Sequence, residues 1–90
     1  MYRIELLNRA RRQLDKIFGG KDADRINIAI LALGDNPRPY GIKKLGGDIH
    51  RIRVGDWRII FTISDKEKKV IVGKIARRAE DTYDRVEDLF

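Results

Sequence analysis

Asp48-Ile49-His50-Arg51-Ile52-Arg53-Val54-Gly55-Asp56-Trp57-Arg58-Ile59-Ile60-Phe61-Thr62-Ile63-Ser64 reads as a β-hairpin. Runs rich in β-branched and aromatic residues flank a Gly-Asp dipeptide. Glycine at the first central position suits a two-residue type II′ turn. That turn sets Val54 opposite Trp57, Arg53 opposite Arg58 and Arg51 opposite Ile60. Side chains alternate along a strand, so the hairpin has two faces. His50, Ile52, Val54, Trp57, Ile59, Phe61 and Ile63 make an apolar face that belongs in a core. Ile49, Arg51, Arg53, Arg58, Ile60 and Thr62 make the other, on which Arg53 and Arg58 confront each other. Like charges directly opposite are destabilising. Such a pair needs water, an acidic neighbour or an anionic ligand.

Outward from the hairpin, Tyr2-Arg3-Ile4-Glu5-Leu6 alternates as a first strand. Asn8 is a plausible N-cap for a helix whose stripe is Ala10, Leu14, Ile17 and Phe18, and Gly19-Gly20 stops it. Asp22 or Asp24 can cap a second helix with the stripe Ile26, Ala29, Ile30 and Leu33. Gly34 is a C-cap candidate, and Pro37 and Pro39 forbid continuation. The short Gly-Gly link makes the helices an antiparallel hairpin. Residues 37–47 read as a connector that brings Lys43-Lys44-Leu45-Gly46-Gly47 to the β-hairpin. Lysines beside glycines suit phosphate contact, although the spacing is not that of a Walker A loop. Lys69 to Ala76 is a further strand, ended by Arg77-Arg78. Tyr83, Val86, Leu89 and Phe90 are spaced for a short C-terminal helix. The order β-α-α-β-β-β-α predicts an α+β domain over residues 1–90, with a four-stranded, mainly antiparallel sheet and the helical hairpin on its apolar face.

The chain has 90 residues, with 20 Lys and Arg against 14 Asp and Glu, a formal charge of +6. A domain of this size buries only about 60–65% of its unfolded surface, so the core is modest. The charge favours a polyanionic or acidic partner. With no cysteine and a single histidine, disulfides and thiolate sites are excluded, and an all-protein zinc site is not expected. No apolar run approaches a membrane span, and Met1-Tyr2-Arg3-Ile4-Glu5 has no signal-peptide pattern, so the expected compartment is the cytoplasm, without a membrane partner.

Lys44-Leu45-Gly46-Gly47, then His50 to Phe61, then Ile75-Ala76-Arg77-Arg78-Ala79-Glu80-Asp81-Thr82-Tyr83 resemble the RelE/ParE superfamily of toxin–antitoxin toxins, and the RelE branch most closely. The resemblance covers essentially the whole chain. It implies a metal-independent endoribonuclease, an mRNA interferase, that needs no cofactor and works in the ribosomal A site. In that chemistry a ribose 2′-hydroxyl attacks the adjacent phosphate, leaving a 2′,3′-cyclic phosphate and a 5′-hydroxyl. Carried over by position, the catalytic residues are Arg51 and Arg53 on the first hairpin strand, Arg58 on the second, Arg77 and Tyr83. Lys43, Lys44 and Arg78 are substrate-binding candidates. Arginine suits phosphate because its fork matches two phosphate oxygens. It stays protonated, so the base role passes to Tyr83, which alternatively stacks on a nucleobase or orients the hydroxyl. Strict alternation puts Arg77 with Ile75, Gly73 and Ile71, and Arg78 with Lys74, although a bulge would turn either outward. His50 falls on the apolar face and reads as structural, as does Trp57. The resemblance further implies a cognate antitoxin, the ribosome with mRNA, and operator DNA reached only as a toxin–antitoxin complex. The same fold also carries ParE-like inhibitors of DNA gyrase, and fold does not fix function. A catalytically weak member that mainly binds its antitoxin is a third reading.

Overall fold

A computed structural model describes residues 1–17, 20–77 and 90. The strands are β1 (Arg3–Leu6), β2 (Lys43–Gly46), β3 (Ile49–Val54), β4 (Trp57–Ser64) and β5 (Lys69–Arg77), and the helices are α1 (Asn8–Lys16) and α2 (Lys21–Asp35). The sheet runs β1-β5-β4-β3-β2, antiparallel throughout except for the β1–β5 pair. It has five strands rather than the expected four, because the end of the connector pairs with β3. Nothing in Lys43-Lys44-Leu45-Gly46 has strand propensity beyond Leu45. Short, lysine-bearing strands are nonetheless how sheets blunt a free edge.

The hairpin forms in the expected register: Val54 pairs with Trp57, Arg53 with Arg58 and Arg51 with Ile60. Gly55 has φ +60 and Asp56 does not share the positive φ, as a type II′ turn requires. Apolar residues of β4 and β5 then meet the stripe of α2. Ile26, Ile30 and Leu33 pack with Ala10 against Ile59, Phe61, Ile63, Val70, Val72 and Ile75.

Local details depart from the cap expectations. Asn8 is the first helical residue, behind an N-cap at Leu7 that makes no side-chain cap bond. Asp22 and Asp24 lie in the first turn of α2 and neither caps it. Gly34 sits inside α2, and Asn36 follows as C-cap. The reason is close approach: the Tyr2 amide donates to the Gly34 carbonyl at 2.7 Å, and a Cβ on Gly34 would stand 3.0 Å from the Tyr2 oxygen. The C-terminal helix expected over 79–90, with Arg78 and Tyr83, lies outside the described residues apart from Phe90.

β1 pairs with β5 only as far as Leu6 and Val72. Beyond that point α1 takes over the edge. Gln13 Oε1 accepts the Ile75 amide at 2.7 Å, so a buried backbone donor that has lost its strand partner is still satisfied.

Candidate functional site

β4 and β5 slip by one residue between Ile60 and Phe61. Phe61 pairs with Val72 and Ile60 with Lys74, leaving Gly73 as an extra residue. A bulge of this kind resets the alternation of the strand that carries it. Val70 and Val72 before the bulge, and Ile75 and Arg77 after it, therefore share the helical face. Lys74 and Ala76 go to the opposite face.

That opposite face assembles the site in rows across the sheet. One row is Arg53, Arg58 and Ala76; the next is Lys43, Arg51, Ile60 and Lys74. The structure thus brings Arg51, Arg53, Arg58 and Lys43 together on one surface. Arg53 is exposed and Arg58 half-buried, whereas Arg51 is only 7% exposed. Ile60 and Ala76 form a buried apolar floor among these cations. Arg51 Nε is buried with no hydrogen-bond partner among the described residues. An unsatisfied donor on a buried cation is costly unless something anionic meets it.

Lys44 is placed elsewhere: it pairs with His50, whose side chain is on the helical face. His50 Nδ1 lies 2.9 Å from the Asp48 carbonyl. A carbonyl only accepts, so Nδ1 carries the proton there. The ring stacks on Phe61 at 5.8 Å, which gives His50 a packing role. Trp57 is half-buried against the core, and its indole N–H donates to Asp22 Oδ2 at 3.1 Å. This bond explains why Asp22 is not a cap.

Arg77 is not with the hairpin arginines. It pairs with Trp57, and its guanidinium carbon sits 5.0 Å from the indole ring centre, within cation–π range. Both line a cleft of about 580 Å³ with Gln13, Lys16, Lys21 and Asp22, on the helical side of the sheet. Lys74 also joins this cationic face, a placement that strict alternation did not foresee. The available signal was Gly73, since a glycine inside a strand pattern marks a bulge and with it a change of phase. Among the described residues no cluster of three or more His, Cys, Asp or Glu is arranged to hold a metal ion. No helix among them is long and apolar enough to cross a membrane.

With the face defined, sequence comparison decides the family. Residues 4–82 match the model of the ParE toxin of the type II toxin–antitoxin system parDE. The chain belongs to this toxin family. A comparison with curated protein sequences finds no match. Among solved structures, the isolated RelE toxin of E. coli superposes with a TM-score of 0.77 at 18% identity, over 91% of this chain and 89% of that one. The RelE–RelB complex from Pyrococcus horikoshii gives 0.74 at 22% identity, over 88% and 97%. The RelBE2 toxin–antitoxin complex of Mycobacterium tuberculosis gives 0.73 at 21%, over 86% and 98%. The family is therefore the RelE/ParE superfamily, and its RelE members share the architecture of this toxin.

Proposed function

We propose that this toxin is a ribosome-dependent mRNA endonuclease acting by 2′-hydroxyl attack on the adjacent phosphate. The observation that carries the reading is the arginine face, above all Arg51, a buried cation whose Nε has no hydrogen-bond partner among the described residues. A scissile phosphate laid across Arg51, Arg53 and Arg58 would receive charge-assisted forks at the oxygens where negative charge builds in the transition state. Lys43, at the rim, supports the flanking backbone of the RNA. Arg77 meets the RNA around the end of the sheet, beside Trp57, instead of at the phosphate. Tyr83 keeps the role implied by the resemblance, at the scissile nucleotide, and Arg78 remains a substrate-binding candidate, whereas Lys44, paired with His50, lies away from the arginine surface.

The partner that restrains the toxin is an antitoxin, as in the RelE–RelB complexes. A basic face calls for an acidic or amphipathic segment. Operator DNA is reached through that complex.

A second reading is a ParE-like inhibitor of DNA gyrase. It draws on the matched family and on Arg77, which stands apart from the hairpin arginines. Primer extension on ribosomes programmed with a defined mRNA separates the two. Cuts within the A-site codon that vanish without ribosomes are the expected result. Absence of cuts together with inhibited gyrase supercoiling would transfer the protein to the second class.

A further inference from the structure

We infer that Lys74 is the proton donor to the departing 5′-oxygen in this cleavage, an assignment that rests on the endonuclease reading. The bulge at Gly73 turns Lys74 onto the arginine face. Its strand neighbour Ile60 separates it from Arg51, and Ala76, two residues further along β5, faces Arg58. Diagonal neighbours on one face of an antiparallel pair stand about 7–8 Å apart, so Lys74 and Arg58 can reach the same phosphodiester.

Chemistry separates Lys74 from its neighbours. A guanidinium holds its proton throughout the working range, so Arg51, Arg53 and Arg58 stabilise charge without releasing a proton. An ammonium group can release one. Lys43 is the other ammonium of the face, but it is exposed on the edge strand. Lys74 is half-buried beside the apolar floor. The ion pairs among the described residues, Arg38–Asp65 and Lys69–Glu5, leave Lys74 without a carboxylate.

The 2′-oxygen attacks phosphorus, forming the 2′-O–P bond, and its proton passes to water. The P–O5′ bond breaks with its electron pair on the 5′-oxygen. That oxygen takes a proton from Lys74 Nζ, giving the 5′-hydroxyl and the 2′,3′-cyclic phosphate. Lys74 then regains a proton from water.

A sulfur leaving group needs no proton, and this provides the test. The cut site is mapped on ordinary mRNA, and a second mRNA is made with sulfur in place of the bridging 5′-oxygen at that position. Lys74→Met and Lys74→Arg are compared with the unsubstituted toxin on programmed ribosomes in single turnovers, after circular dichroism confirms folding. Both variants should lose on the order of 100-fold on the oxygen substrate and recover most of it on the sulfur substrate. Lys74→Arg keeps the charge and carries the test if Lys74→Met does not fold. Arg58→Ala, which removes charge stabilisation, should be slow on both substrates. Equal losses on both substrates for the Lys74 variants, or no loss, would overturn the assignment while leaving the endonuclease in place. If the unsubstituted toxin cuts neither substrate, the endonuclease reading itself falls and takes this role with it.

Discussion

Arg51 is the side chain at which the proposed function is set against stability. Its position in β3 between Lys43 and Ile60 buries the side chain and leaves Nε without a hydrogen-bond partner among the described residues. Replacing a poorly compensated buried cation with an apolar side chain of similar length is often neutral or stabilising. Arg51→Met should raise unfolding stability by about 1 kcal/mol, read from the urea midpoint, because the orphan donor is removed. The same substitution should lower cleavage by on the order of 100-fold, because charge stabilisation is lost. A variant that is destabilised and still active would show that Arg51 serves the fold. The arginine was legible in the sequence because period-2 alternation and the Gly-Asp turn fix which way it points. Its burial was not legible, since alternation names a face and says nothing about what covers it.

At the scale of the element, the hairpin depends on Gly55. Its φ of +60 lies in the left-handed region that side chains with a Cβ avoid. Gly55→Val should cost about 1–3 kcal/mol, measured by thermal or urea unfolding. Because the turn fixes register, Arg53 and Arg58 should lose their pairing as well, and cleavage should fall along with stability. Turn and alternation were both readable here because each is a local signal. β2 was not readable: Lys43-Lys44-Leu45-Gly46 becomes a strand only because β3 offers it a free edge. The facing of Arg77 and Lys74 was hidden for a related reason. Strict alternation counts residues, whereas the slip opposite Ile60 and Phe61 is a property of the pair of strands. The cap expectations failed at Gly34 and Asp22 because tertiary partners, the Tyr2 backbone and the Trp57 indole, claimed those residues.

For the whole molecule, one surface cluster ties distant parts of the chain together. Asp65, in the β4–β5 turn, accepts both nitrogens of Arg38 at 3.1 and 3.0 Å and the Tyr2 hydroxyl at 2.5 Å. The Arg38 hydrogen bonds, followed by that of Tyr2, hold the carboxyl below its usual 3.8, at about 2. A carboxylate with a depressed folded-state pKa stabilises the fold above its unfolded value and loses that contribution as pH falls through the folded one. Asp65→Asn should therefore lower the urea midpoint at neutral pH. The gap to the unsubstituted chain should narrow from about pH 4 downward and close as pH falls through about 2. A gap as large at pH 2 as at neutral pH would mean that the cluster acts through shape and not charge.

The place of β1 sets a timetable for the molecule. Its sheet neighbour is β5, the last of the described strands in chain order, which also separates it from β4. During synthesis the opening strand must wait, unpaired, until nearly all of the rest has emerged. The apolar faces of α2 and the hairpin wait with it, because Val70, Val72 and Ile75 complete their packing. Lys74 arrives on that same strand. A nascent chain is thus unable to close its sheet or complete its cationic face before β5 clears the exit tunnel.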